Sequence, residues 1–332
     1  MQKMLNDPRA FVDDMLAGII LAHPDQLRLV QGARAVVRAA PLVPGKVGIA
    51  TGGGSGHLPL FLGYVGEGLA DGAAIGNVFA SPSADEMLEV TRAVNAGAGV
   101  LYLYGNYGGD VMNFDLAAEL ASAEGIDVET VLGADDLASA PRGDEARRRG
   151  IAGIFFLYKV AGASAARGDG LAAVKRCTDK AAANLRSMGV ALAPCTLPAA
   201  GVPTFELPTG QMEIGMGIHG EPGVRRGPLE TADEIAEQLT SAVLDDLPFA
   251  SGDDVAVLVN GLGATPKEEL YILYCGVNQL LKKRGIRVHR VWVGEFATSL
   301  EMAGASISIL RLDDELKALI DAPAESPFFV QR

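Results

Sequence analysis

The 332-residue chain has four histidines, and two of them stand inside glycine-rich segments. His57 closes the run Thr51-Gly52-Gly53-Gly54-Ser55-Gly56-His57, and His219 lies within Gly215-Met216-Gly217-Ile218-His219-Gly220-Glu221-Pro222-Gly223. A third segment, Gly105-Asn106-Tyr107-Gly108-Gly109-Asp110, ends on a carboxylate. An imidazole titrates near neutrality, so it can give or take a proton at ordinary pH. A histidine among glycines has little apolar packing of its own, which argues for function; the competing reading is a ring that hydrogen-bonds a backbone carbonyl in a tight turn. Asp110 is equally open: a catalytic carboxylate, or the N-cap of a helix announced by Val111, Met112, Phe114 and Leu116. The run Gly52 to Gly56 can cradle a phosphate or a polyol with its N–H groups, or form a close strand-to-helix turn. His23, before Pro24 at a helix end, and His289, in a strand alternating with Arg287 and Trp292, read as structural.

Two nucleotide signatures can be checked. The P-loop pattern GxxxxGK[ST] is absent, because Lys46 follows Gly45 without the earlier glycine or the Ser or Thr that should come next. The dinucleotide pattern GxGxxG is met formally at Gly215, Gly217 and Gly220, but Glu221-Pro222-Gly223 follows and breaks a helix where the motif needs one to begin. An oxidoreductase using a nicotinamide cofactor rests on that match alone. No spacing of His, Cys or carboxylates suggests a metal site.

The elements that must position these segments alternate. A helix opens the chain, with Asp7 as cap, Pro8 in its first turn and Phe11, Met15, Ile19 and Ile20 on one face. Buried strands are expected at Val47–Thr51, Ala73–Phe79 and Val100–Tyr104, each followed by a glycine- or serine-rich turn and a helix starting near Pro59, Ser83 and Asp110. A helix pair is expected at 151–164 and 169–188. Strands at 190–195, 254–260, 286–293 and 306–311 follow, with helices at 231–245, 267–284 and 313–321. Such alternation predicts an α/β protein of two α/β domains with mainly parallel sheets, 1–188 and 189–332. The stretch from Pro194 to Pro228 reads as irregular functional loops.

Composition narrows the partners. The net charge is −13 and the basic runs Arg147–Arg149 and Lys282–Arg284 read as solvated helix ends, so nucleic acid is excluded as a partner. Cys177, Cys195 and Cys275 have no CxxC or zinc spacing and read as buried thiols of a reducing compartment. Asp7, Asp13 and Asp14 stand where a signal peptide would be apolar, and the apolar run Ile151–Ala161 is too short to cross a bilayer. A cytoplasmic protein with no membrane partner is expected.

Five motifs together resemble the dihydroxyacetone kinase family, and specifically its substrate-binding K-type subunit, DhaK. They are residues 51–57, Gly-Asn-Val-Phe-Ala-Ser-Pro at 76–82, Asn-Tyr-Gly-Gly-Asp-Val-Met-Asn-Phe at 106–114, residues 215–223, and Asn-Gly-Leu-Gly-Ala-Thr-Pro at 260–266. The resemblance covers essentially the whole chain, in order. It implies a two-domain α/β homodimer in which His219 bonds a ketose carbonyl covalently as a hemiaminal. It implies His57 and Asp110 as the acid–base pair, and Gly53, Gly54, Ser55, Gly56 and Gly105 as substrate-binding positions. It also accounts for the missing P-loop: the family carries ATP or ADP with Mg²⁺ on a separate L-type domain, so this chain would hold no cofactor and a nucleotide-binding partner would deliver the phosphoryl group. The chain departs from the family pattern at Leu58, commonly Glu, and at Gly105, where many members have Lys. The missing side chain at Gly105 is expected to leave room for a four-carbon ketose such as erythrulose beside dihydroxyacetone. A second implied reading is a paralogue that senses the ketose and acts through a regulatory partner; the presence of both His57 and Asp110 favours the enzyme.

Overall fold

In the computed structural model, which describes residues 2–332, Asp7 accepts a hydrogen bond from the Arg9 N–H, Pro8 begins one 3-10 turn, and α1 follows at Phe11–Ala22. Short strands β1 (Leu27–Leu29) and β2 (Ala35–Arg38) precede β3 (Gly48–Ser55) and β4 (Gly72–Val78). Then come α2 (Ala84–Val94), β5 (Val100–Gly105), α3 (Gly108–Ala123) and β6 (Val128–Gly133). The first sheet has the order β1-β2-β4-β3-β5-β6, parallel from β4 to β6 and antiparallel at the β1 and β2 edge.

Helices α4 (Ile154–Ala166) and α5 (Leu171–Ala183) lead to β7 (Leu185–Ala193), the first strand of the second sheet. Next are β8 (Gln211–Ile214), β9 (Arg225–Pro228), α6 (Ala232–Asp246), β10 (Asp254–Gly261), α7 (Lys267–Lys283), β11 (Arg287–Gly294) and β12 (Ala303–Leu312). Helix α8 (Asp314–Asp321) and the hairpin β13 (Ala324–Ser326) and β14 (Phe329–Gln331) close the chain against Glu67 of the first half. Reciprocal caps start two of the covering helices: Ser83 with Glu86 for α2, and Thr231 with Glu234 for α6.

Helix α4 is mostly apolar and is buried on every face, and its buried Lys159 and Ser164 are hydrogen-bonded, to the Ala322 carbonyl and to Asp169. Its Phe155 and Phe156 belong to one apolar cluster with Ile49 and Leu101 of the first sheet and Leu258 and Leu310 of the second. The two sheets therefore share a core across this helix. No helix among the described residues is long and apolar enough to cross a membrane.

Several expectations need correction. The second sheet, β11-β10-β12-β7-β8-β9, is parallel only between β10 and β11 and antiparallel elsewhere, so mainly parallel pairing holds for the centre of the first sheet alone. A parallel pair needs a crossover, which α7 supplies once, whereas β8 and β9 are joined directly by the loop 215–224 and run antiparallel. The stretch 194–228 is accordingly not all loop. No α-helix starts near Pro59; the chain makes a 3-10 turn at Leu62–Tyr64. There Gly63 and Gly66 pack too tightly against Pro59 and Glu325 to admit a side chain. Cys275 is exposed, unlike Cys177 and Cys195. Arg148 and Arg149 are not a solvated helix end: Arg148 is 1% exposed and grips Asp246 through two bonds of 2.7 Å.

Candidate active site

The glycines of the first segment are strand, not turn, since β3 continues to Ser55. They are there for close approach: a Cβ on Gly53 would lie 2.3 Å from the Phe61 ring, and one on Gly54 2.7 Å from the Ala80 backbone nitrogen. Gly53, Gly54 and Ser55 pair with β4, and Ser55 already donates its hydroxyl to the Gly76 carbonyl at 2.8 Å. At Gly56, with φ of +105°, the chain turns and delivers His57.

His57 is 1% exposed and fixed on three sides. Its ring stacks on Phe79 at 4.8 Å, its Nδ1 lies 2.8 Å from the Thr298 carbonyl, and its Nε2 lies 2.9 Å from Nε2 of His219. Burial, and then the nearby charge of His219, push its pKa down to about 3, so this ring is neutral. The non-glycine residues with positive φ, Phe61, Phe79 and Leu300, all surround it: Phe61 edge-on, Phe79 stacked, and Leu300 donating to the Gly56 carbonyl. Backbone strain of this kind gathers where a site is over-determined by its surroundings.

His219 comes from the other half of the molecule. Its loop leaves β8 at Gly215 and returns to β9, with left-handed backbone at Gly215 and Gly220. Its side chain is 24% exposed, with Tyr107 at 4.8 Å and Phe79 at 5.1 Å, both edge-on. The GxGxxG match runs into a strand, so no helix N-terminus faces a dinucleotide here.

Asp110 is the third residue of α3, whose N-cap is Tyr107, so the capping reading fails. The carboxyl is 6% exposed, and its Oδ1 has no hydrogen-bond partner. Burial raises its pKa to about 6 against the opposing influence of Ser81 and His219. The Tyr107 hydroxyl is also buried without a partner. Among the described residues no group of three His, Cys, Asp or Glu side chains is placed to hold a metal ion. His23 ends α1 and His289 pairs with Asp321 at 2.8 Å, both away from this cluster.

A family model for the Dak1 domain matches residues 17–328. The chain belongs to the dihydroxyacetone kinase family. It is 46% identical over 330 residues to a Listeria innocua protein named PTS-dependent dihydroxyacetone kinase 2, dihydroxyacetone-binding subunit DhaK, covering 99% of both chains. It is 48% identical to a D-erythrulose kinase of Mycolicibacterium smegmatis, covering 99% of this chain but 56% of that protein. Among solved structures it superposes on the dihydroxyacetone kinase operon co-activator Dha-DhaQ with a TM-score of 0.90 and 31% identity, covering 96% of this chain and 98% of the other.

The two departures from the family pattern take on a different meaning in this Dak1 chain. Leu58 packs in the apolar cluster under α1 with Met15 and Ile19, so it is no part of a polar rim. Gly105 does not open extra space either: a Cβ there would already meet the Tyr107 ring at 3.2 Å and Ile154 at 3.3 Å. Reading the sequence alone missed Phe79, Tyr107, Arg149 and Glu221. Glu221 stood within a quoted motif, and its spacing of two from His219 was the available signal; Arg149 gave none.

Proposed function

We propose that this chain is the ketose-binding subunit of a dihydroxyacetone-type kinase. It captures a short ketose, dihydroxyacetone or erythrulose, as a hemiaminal on His219 and presents the terminal hydroxyl to a nucleotide-carrying partner. The observation that carries the reading is the meeting of His57 and His219 at 2.9 Å, from opposite halves of the chain, in an aromatic cage near the buried carboxyl of Asp110, whose Oδ1 has no hydrogen-bond partner. A neutral imidazole nitrogen is a nucleophile toward a ketone and not toward a simple polyol, so covalent capture selects its own substrate class and fixes the reacting hydroxyl. The names of the relatives point to these two ketoses.

Of the two acid–base residues, Asp110 is the better base for the terminal hydroxyl. With a pKa of about 6 it is ionised at neutral pH yet binds a proton far better than His57, at about 3. Gly53, Gly54, Gly56 and Gly105 shape the pocket by letting Phe61, Phe79 and Tyr107 close in, and Ser55 remains free to accept one hydrogen bond. ATP or ADP with Mg²⁺ sits on an L-type partner, a reading supported by the missing P-loop and by the additional length of the erythrulose kinase. We further read the chain as two domains, with the boundary expected at 188/189 moved back to before Leu185, where β7 begins the second sheet, the protein as a homodimer, and its compartment as the cytoplasm.

The test is ¹³C NMR of the protein with carbonyl-labelled dihydroxyacetone and erythrulose. A carbonyl carbon converted to a saturated one in the native protein and not in His219→Ala is expected, and the same signal in both would overturn the role of His219. The likeness to the Dha-DhaQ co-activator favours one second reading, a ketose sensor without turnover. Capture of a ketose with no phosphorylated product, in the presence of an L-type partner, nucleotide and Mg²⁺, would decide for it.

A further inference from the structure

The segment Asn-Gly-Leu-Gly-Ala-Thr-Pro at 260–266 leaves β10 and pins the connection that runs from β11 to β12. Asn260 is fully buried. Its Oδ1 accepts the N–H groups of Phe296 and Ala297 at 2.8 and 2.9 Å, and its Nδ2 donates to the Ala297 carbonyl at 2.9 Å. The Leu262 carbonyl accepts the Ser299 N–H at 2.9 Å, and Thr265 exchanges bonds of 2.7 and 2.8 Å with Gly304. At Gly263 the two segments touch, since a Cβ there would lie 1.8 Å from the Leu300 carbonyl oxygen. Buried polar groups paired this fully fix a segment in one place.

The pinned connection grips both halves of the site at adjacent residues. Thr298 faces the first half. Its N–H donates to the His57 carbonyl at 3.2 Å, its own carbonyl lies 2.8 Å from Nδ1 of His57, and its hydroxyl reaches the carbonyls of Leu58 and Gly56 at 3.0 and 3.3 Å. Ser299 faces the second half. It is 0% exposed and donates its hydroxyl to the Ile218 carbonyl, on the peptide that leads into His219. The N–H of that same peptide goes to Glu221 at 3.0 Å, so the peptide is held at both ends. Among the described residues the contact between the two rings is the one hydrogen bond joining the segments 51–61 and 215–224. Their spacing therefore depends on a third segment.

We propose that Thr298 and Ser299 are positioning residues, a bracket that sets the spacing of His57 and His219, and that the segment 260–266 holds this bracket in place. The inference rests on the capture proposed above, in which both rings converge on one ketose, and deepens it. A reacting group displaced by about 1 Å can lose about 100-fold in rate. One hydroxyl on each side of the bracket controls such a displacement: Thr298 that of His57, Ser299 that of His219.

The experiment uses the full-length, ketose-free protein, deuterated except at histidine, and reads the NOE cross-peak between ring C–H protons of His57 and His219, whose centroids lie 4.8 Å apart. In Ser299→Ala and in Thr298→Val the cross-peak should weaken, and formation of the adduct with dihydroxyacetone should slow about 10- to 100-fold. Thr298→Ser keeps the hydroxyl and should restore both. Ser308→Ala removes an equally buried bond, between Ser187 and Ser308 within the second sheet, and should leave both unchanged. An unchanged cross-peak in Ser299→Ala or Thr298→Val, or none in the native protein, would overturn the proposal. An equal loss in Ser308→Ala would overturn it too, because the spacing would then follow overall stability. If Ser299→Ala does not fold, the pair Thr298→Val and Thr298→Ser decides. The cross-peak needs no ketose: a native protein that shows it and forms no adduct would refute the functional reading and leave the bracket standing. An adduct formed at the native rate in both variants would refute the bracket alone.

Discussion

The two halves of the site are held in different ways. On the first-sheet side His57 is stacked, hydrogen-bonded and closed off from solvent, with strained backbone at Phe61, Phe79 and Leu300 around it. On the second-sheet side His219 rides a loop between two left-handed glycines and keeps a quarter of its side chain exposed. On the proposed reading His219 forms a bond with an incoming molecule and needs access and a little freedom, whereas His57 helps to position that molecule and needs rigidity. The sheet with parallel strands builds the fixed part at the carboxyl ends of β3 and β5, and the antiparallel pair β8–β9 carries the more exposed part.

The substitution that most severely tests this contrast is His219→Ala. It should abolish ketose capture and turnover altogether, whereas His57→Ala should leave a slowly formed adduct, with turnover reduced about 10²- to 10⁴-fold. NMR detection of the adduct alongside product assays compares the two, and equal loss of adduct in both would erase the division of labour. Asp110→Asn should also reduce turnover about 10²- to 10⁴-fold without removing the adduct. In the native protein, turnover should fall as pH drops below about 6, where the carboxyl gains its proton.

Stability should move the opposite way at Asp110. Its folded pKa lies above the ordinary 3.8, so the folded state binds the proton more tightly than the unfolded chain. The resulting penalty is full above pH 6 and is relieved as pH falls from about 6 toward 4. Asp110→Asn should therefore stabilise the protein at pH 7 by about 1–3 kcal/mol in thermal or denaturant unfolding, with the gain shrinking at pH 4. A destabilised Asn variant at pH 7 would contradict the burial argument. Gly54→Ala probes the rigid half directly: its Cβ would press on the Ala80 backbone, costing about 1–3 kcal/mol and displacing Phe79 from His57. The smallest effect is expected for Tyr107→Phe, which deletes a buried hydroxyl with no partner in the protein. Stability should hardly change, and a KM raised about 3- to 10-fold would assign that hydroxyl to the substrate.

Much of the fold was readable along the chain, because helix caps and apolar periodicity are local. Helices begin at Ser83 and Thr231 close to where they were expected, and the apolar run at Ile151 became the buried α4. What was misread depended on pairing. The strands β8 and β9 lie in a stretch of glycine and proline that has no strand pattern of its own and is ordered by β7. The glycines at 52–54 looked like a cradle and are a place where rings and backbone approach β3. Arg148 and Arg149 looked solvated because charge in sequence says nothing of a carboxylate far along the chain, such as Asp246, that folding brings beside it.

His57, Asp110 and His219 stood out by residue type and glycine context, and the motifs around them were enough to place the chain in its family. Only the tertiary structure could bring His57 and His219, 162 positions apart, to 2.9 Å, leave Oδ1 of Asp110 without a partner, and set Glu221 and Arg149 behind the His219 ring. The reason is physical. Which nitrogen holds a proton, and which carboxylate resists ionisation, follows from distances of a few ångströms and from the exclusion of water, and both are products of packing between segments that have no contact in sequence.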